Sequence, residues 1–83
     1  MDTITITIKN VDVELHWRDN VGVGYAVHEV STEDLHDGIA KGPCDGEVFL
    51  FRGRQYQLGQ HDYEDGDGTT TCIAEIYEYD DDD

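Results

Sequence analysis

The sequence predicts an α+β fold in which an antiparallel β-sheet of about five to six strands carries one short helix. Residues 3–8 alternate Thr with Ile, and residues 11–17 alternate apolar with polar side chains. Alternation with a period of two is typical of half-buried strands. A helix-capping sequence begins at Ser31, and further strand-like segments lie before and after it. The predicted order of elements is therefore β-β-β-α-β-β-β.

The first two strands are predicted to form a hairpin. Lys9-Asn10 separates them as a two-residue turn. This turn places three apolar pairs on one face, namely Ile8 with Val11, Ile6 with Val13 and Ile4 with Leu15. Asp19-Asn20 with Gly22 and Gly24 predicts the next turn, and residues 23–30 predict the third strand.

The helix is predicted to begin at Ser31, whose hydroxyl can cap the amide of Asp34. Gly42-Pro43 is expected to end it, and Leu35 and Ile39 to form its buried stripe. Gly38 would lie inside this helix, where glycine costs about 1 kcal/mol relative to alanine. We therefore expect the helix to depend on packing against the sheet.

The second half of the chain predicts another hairpin and a long final strand. Residues 47–51 and 54–58 flank Arg52-Gly53, which places Phe49 opposite Tyr56 and Phe51 opposite Arg54. Residues 60–68 are acidic and rich in glycine, which predicts a loop. Residues 70–79 predict the last strand, with Cys72, Ala74 and Ile76 on one face and Ile73, Glu75, Tyr77 and Tyr79 on the other. We expect one domain over residues 1–79 and a disordered acidic tail over residues 80–83.

Composition restricts the classes of function. The chain has 83 residues, 37% of them hydrophobic, and a formal net charge of −15. Such a charge opposes direct binding to nucleic acid or to an anionic membrane. We see no signal peptide and no apolar run of membrane-spanning length, so we expect a cytoplasmic protein. Cys44 and Cys72 are too few for a disulfide framework, and whether they pair stays open, as does the oligomeric state.

The negative charge is concentrated in the last part of the chain. Residues 62–83 contain ten acidic side chains and no Lys or Arg, whereas residues 1–61 contain ten acids and all five bases. On a strand, alternate side chains recur every ~6.7 Å, and neighbouring strands lie ~4.8 Å apart. Carboxylates on that grid approach the charge density of the DNA phosphates. The candidate acidic patch comprises Asp12, Glu14, Asp62, Glu64, Asp65, Asp67, Glu75 and Glu78.

Three tyrosines lie among these acids and are candidate anchors of a protein interface. They are Tyr63, Tyr77 and Tyr79. Aromatic side chains surrounded by a polar rim are typical of such interfaces. Tyrosine is also a common strand residue, so packing at a sheet edge is the alternative interpretation.

The chain is small, extremely acidic and predicted to form an antiparallel sheet, and it has no catalytic motif. In these four properties it resembles the phage-encoded DNA-mimic inhibitors, such as anti-restriction and anti-CRISPR proteins. The resemblance covers the whole chain in character and rests on no shared motif, so it assigns no role to any residue. It implies a non-enzymatic inhibitor. The implied partner is a nucleic-acid-binding protein with a basic groove, such as a CRISPR effector or a restriction enzyme.

Two other interpretations stay open at this point. The chain has 13 Asp against 7 Glu and only two Lys, a composition that also suits a salt-adapted protein-binding module. The third interpretation is a domain that binds divalent cations weakly through the acidic segment 62–67.

Dedicated metal and catalytic sites are not expected. Counted from Asp62 as the first position of an EF-hand loop, the twelfth position is Ile73, where a glutamate is required. His16, His28, His36 and His61 lack zinc-ligand spacing. His61-Asp62 with a cysteine could imitate a catalytic set, but acidic surroundings disfavour the reactive thiolate. We therefore expect no catalytic residues, no cofactor and no enzyme.

Overall fold

The computed structural model describes residues 3–17, 24–39 and 42–79. This part of the chain contains seven strands and one helix. They are β1 (Thr3–Ile8), β2 (Val11–Trp17), β3 (Gly24–Ser31), α1 (Thr32–His36), β4 (Val48–Phe51), β5 (Arg54–Leu58), β6 (Asp62–Asp65) and β7 (Thr69–Glu78). The predicted antiparallel sheet with one short helix is confirmed, but the sheet has more strands than the five to six expected.

The strands form one sheet in the order β1-β2-β3-β7-β5-β4. β7 is the central strand, because β3 pairs along one of its edges over eight positions. On its other edge, β6 pairs with the first part of β7 and β5 with the last part. All these pairings are antiparallel.

Both predicted hairpin registers are confirmed. The three apolar pairs of the first hairpin are Cα partners, and Phe49 lies opposite Tyr56 in the second. Lys9 and Asn10 have φ values of 53° and 67°, and Arg52 and Gly53 have 52° and 80°. Two positive φ values in a row match the twist of the flanking strands in a tight hairpin.

The predicted loop over residues 60–68 is wrong in its middle part, which forms β6. Asp62 pairs with Ile73 and Asp65 with Thr70, and the Gly66 amide donates to the Thr69 carbonyl at 2.7 Å to close the turn. Every residue of β6 is exposed, so no buried face creates the alternation that reveals a strand. Its order comes from the ladder to β7.

The helix is shorter than predicted. Ser31 caps it as expected, accepting from the Asp34 amide at 3.4 Å, but α1 ends at His36. Gly38 lies beyond the helix with a φ of 75°, and its amide donates to the Leu35 carbonyl. Together with the bond from the Ile39 amide to the Asp34 carbonyl, this is a Schellman stop. Leu35 and Ile39 are 41% and 48% exposed, so the expected buried stripe is wrong.

The core lies on one face of the sheet, here called the inner face. Its buried apolar side chains are Ile8, Val13, Leu15, Ala26, Phe49, Tyr56, Leu58, Ala74 and Ile76. Trp17 on β2 stacks on Phe51 of β4, with ring centroids 5.4 Å apart, although these strands are far apart in the sheet order. The sheet therefore curls around its own core.

Several sequence predictions fall outside the described residues. They are the turn at Asp19-Asn20 with Gly22, the start of the third strand at Val23, and the acidic tail over residues 80–83. Cys44 is exposed and Cys72 is buried, and both are free thiols. Within the described ranges, no helix has the length and apolar character needed to cross a membrane.

Candidate functional site: the acidic outer face

The face of the sheet opposite the core, here called the outer face, carries a group of carboxylates. Strand alternation places them there, because the inner-face residues of β2, β3 and β7 are buried and their immediate neighbours point the other way. Four strands contribute six acidic side chains, which are Asp12, Glu14, Glu29, Asp62, Glu64 and Glu75. We call this set the acidic face.

An apolar pair lies at the centre of the acidic face. Val27 on β3 is the Cα partner of Ile73 on β7, and both are half-buried. Glu14 pairs with Val27 from one side, and Asp62 pairs with Ile73 from the other. These four residues form one row across β2, β3, β7 and β6. Glu14 and Asp62, at the two ends of the row, are three strand spacings of ~4.8 Å apart, which is about 14 Å.

The remaining acids lie in the rows above and below this apolar pair. Glu75 pairs with Tyr25 in the row above. Glu29 pairs with Thr71, and Thr71 pairs with Glu64, in the row below. Glu29 also lines a shallow depression of the outer face, together with Asp12, Glu14 and Val27. An apolar centre with a charged rim is the usual anatomy of a protein interface.

Five of the eight predicted patch acids belong to the acidic face, and three lie elsewhere. Asp65 shares the inner side with Thr70, whose hydroxyl donates to it at 3.3 Å. Asp67 lies in the turn between β6 and β7. Glu78 shares the face of its partner Tyr56 and forms an ion pair with Arg54 at 3.8 Å. The alternation of β6 and β7 separates these acids from the rest.

Sequence analysis missed Glu29. Residues 23–30 are apolar on both faces, so the pattern did not show which face is buried. The described strand resolves this, because Ala26 and His28 are buried and Glu29 is exposed. Strand alternation could have identified Glu29 once Ala26 and His28 were assigned to the buried face, because Tyr25, Val27 and Glu29 alternate with those positions.

The three predicted tyrosines do not lie together. Tyr77 is on the outer face, where its hydroxyl donates to Glu75 at 2.7 Å. That bond raises the pKa of Tyr77 above its ordinary value, because the carboxylate favours the protonated phenol. Tyr63 pairs with Cys72 and so belongs to the inner side. Tyr79 follows the end of β7, and its amide donates to the Gln55 carbonyl.

A fourth tyrosine, Tyr25, lies on the outer face and was not predicted. Its ring stacks on His16, with centroids 4.7 Å apart and planes within 4°. His16 in turn lies 3.2 Å from a carboxylate oxygen of Glu14. The stack fixes a flat aromatic surface beside the acids.

The described cationic side chains are engaged away from the acidic face. Lys9 lies 3.9 Å from Glu47, Arg54 pairs with Glu78, and Arg52 covers the Phe51 ring at 5.0 Å. Among the residues that the structure describes, no ion pair joins Lys or Arg to the acidic face.

No preformed metal centre is present in the described residues, where no three His, Cys, Asp or Glu side chains are arranged to hold an ion. Burial raises the pKa of Cys72, which keeps this thiol protonated.

Comparisons with protein-family models, curated proteins and solved structures find no match to this chain.

Proposed function

We propose that the protein is a non-enzymatic inhibitor that occupies the basic nucleic-acid-binding groove of a target protein as a DNA mimic. The observation that carries the proposal is the acidic face, a set of six carboxylates around the apolar pair Val27 and Ile73. Within this face, Glu29 and Glu64 lie two strand spacings apart, about 10 Å, and the six carboxylates repeat a negative charge across four strands as phosphates repeat it along DNA.

The energetics of such binding follow from charge and burial. A groove that binds DNA carries Lys and Arg side chains, and replacing DNA by carboxylates repeats the same ion pairing. Counterions held near the acidic face are released on binding, so affinity falls steeply with salt. Val27 and Ile73 add an apolar contact at the centre, which DNA phosphates cannot supply.

The proposed targets are restriction enzymes and CRISPR effectors, in keeping with the class resemblance of the sequence. A panel of such enzymes, each given a DNA substrate, tests this directly. We expect the protein to inhibit DNA cleavage by at least one of them, and a raised concentration of the DNA substrate to restore cleavage. Inhibition that excess substrate DNA does not reverse would contradict a shared groove.

A second candidate is supported by the acids that lie off the acidic face. Glu33 and Asp37 belong to α1 or its end and Asp67 to a turn, and all three are exposed. A salt-adapted module carries acids over its whole surface, and its fold depends on the screening of their repulsion. Thermal melts in KCl separate the two candidates. A DNA mimic stays folded at about 0.15 M salt, whereas a salt-adapted module melts near room temperature until KCl approaches about 1 M.

A further inference from the structure

A second surface, separate from the acidic face, lies at the outer edge of β4. This strand ends the sheet order, and among the described residues it pairs with β5 alone. The free edge of a strand carries backbone donors and acceptors that can pair with another strand. At the other end of the sheet order, β1 exposes threonines, whereas β4 exposes Val48 and Leu50, the latter to 69%. The edge of β4 is therefore the more apolar of these two edges.

The hairpin turn determines which backbone groups of β4 face the open edge. The residues that flank a two-residue turn, here Phe51 and Arg54, exchange both of their backbone hydrogen bonds, and such pairs alternate along the ladder. Phe49 is the next residue of β4 in a pair of this kind, so its backbone groups face β5. The backbone groups of Val48 and Leu50 face away from β5, towards the open edge.

The hairpin of β4 and β5 is neutral within a strongly acidic chain. Residues 45–58 contain two acids and two bases. They are Asp45, Glu47, Arg52 and Arg54. Two of these charges have ion-pair partners outside the hairpin, Lys9 and Glu78, which leaves Asp45 ahead of β4 and Arg52 after it. The strand therefore has a negative end and a positive end.

We propose that β4 is a homodimer interface, in which it pairs antiparallel with β4 of a second copy of this chain. The pairing is centred on Phe49, so that Val48 of each copy lies opposite Leu50 of the other. In this register both pairs exchange two backbone hydrogen bonds, and the inner faces of the two sheets lie on the same side. The Val48 and Leu50 side chains of the two copies cover one another on the outer side.

The charges of the hairpin complement each other in this arrangement. The antiparallel direction brings Arg52 of each copy to the Asp45 end of the other, and a two-fold axis repeats this contact at both ends of the interface. The Asp45 side chain is 56% exposed and so is accessible to a partner. A parallel pairing would instead bring like charges together. Opposite charges across neighbouring strands stabilise their pairing.

The net charge of the chain does not prevent this contact at moderate salt. In the sheet order, β7 is the strand of the acidic face nearest to β4, at two strand spacings or about 10 Å. At an ionic strength of about 0.15 M, charges are screened over about 8 Å. Two copies that meet through β4 therefore hold their acidic faces beyond the screening length.

Sedimentation velocity from about 10 µM to about 1 mM protein, in about 0.15 M NaCl, tests for the dimer. We expect the dimer fraction to rise with concentration. Hydrogen exchange at the amides of Val48 and Leu50 should slow as it rises, because these amides become hydrogen-bonded only in the dimer. A protein that stays monomeric at about 1 mM would overturn the proposal. A dimer in which both amides exchange as fast as in the monomer would also overturn it.

The variant Leu50→Lys tests the position of the interface. It replaces the apolar side chain opposite Val48 of the second copy by a charge, which is how natural edge strands avoid pairing. We expect dimerisation to weaken at least ~tenfold, or about 1.4 kcal/mol. Leu35→Lys, the same substitution at a 41% exposed residue of α1, is the matched control and should change it less than ~threefold. Equal effects of the two variants, each shown by urea unfolding to be folded, would place the contact elsewhere and contradict the proposal.

Discussion

Val27 and Ile73 are directly paired across β3 and β7, and this apolar contact lies at the centre of the acidic face. Binding energy at protein interfaces is concentrated in such central, desolvated side chains, while rim charges act mainly on association. If the proposed function is right, two contributions to target binding are expected to be separable. We expect the apolar pair to hold the partner at the centre and the surrounding carboxylates to pair with its basic side chains and to guide its approach.

The first prediction concerns this centre. Ile73→Ala should weaken target binding by about 1–2 kcal/mol, because it removes apolar surface where water is excluded. Titration calorimetry against a target enzyme measures the change. Ile39→Ala, the same truncation at an exposed residue on the α1 side of the sheet, is the matched control and should leave affinity unchanged. Equal effects of the two substitutions would show that the partner does not contact the centre.

The second prediction concerns pH. Burial and His61 hold the pKa of His28 below the ordinary value of 6.5, so the unfolded chain binds the proton more readily than the folded one. The free energy of unfolding should therefore fall as the pH is lowered from about 7.5 through 6.5 towards the lowered pKa. Urea titrations at pH 7.5 and 5.5 measure this fall. His28→Leu should reduce it, and the exposed control His36→Gln should not.

The third prediction concerns the hairpin turn of β4 and β5. Arg52 has a φ of 52°, which Asn adopts readily and a β-branched residue does not. We expect Arg52→Val to be about 1–2 kcal/mol less stable than Arg52→Asn, and both variants lose the same charge. Urea unfolding measures the difference. Equal stabilities would mean that the turn changes its conformation instead of bearing the strain.

The fourth prediction concerns calcium. Successive side chains of β6 point to opposite faces, so Asp62 and Glu64 cannot converge with Asp65 on one ion. Millimolar Ca²⁺ should shift the melting temperature no more than NaCl of equal ionic strength. A saturable rise of several degrees at micromolar Ca²⁺ would show that residues 62–67 rearrange into a cation site.

Much of the fold was predictable because short-range patterns determine it. The alternation of residues 3–8 and 11–17 with a two-residue turn leaves only one register that places Ile4, Ile6 and Ile8 on the inner face together. β6 was not predictable in this way, since Asp, Tyr and Glu on an exposed strand carry no periodic signal. Its partner β7 is joined to it by a turn that Gly66 and Thr69 close.

The candidate site was predictable in part, for the same reason. Glu75 and Tyr77 were assigned to one face of the last strand, and the structure places them there. Asp65 and Glu78 were grouped with the acidic patch by charge alone, and strand parity puts them on the other side. The contact between His61 and Asp45 was not predictable, because sixteen residues separate them in the chain and no local sequence pattern relates them.

Competition with DNA for a target enzyme tests the central proposal most directly. Fluorescence anisotropy of a labelled duplex bound to the target reports its displacement by this protein. The unmodified protein should displace the duplex, and its affinity should fall steeply with salt. The double variant Asp62→Lys with Glu75→Lys should bind at least tenfold more weakly, a cost of about 1.4 kcal/mol. The control Glu33→Lys with Asp37→Lys, on the α1 side of the sheet, should bind less than threefold more weakly. Full affinity after reversal of Asp62 and Glu75, or a complex that still binds the duplex, would contradict the proposal.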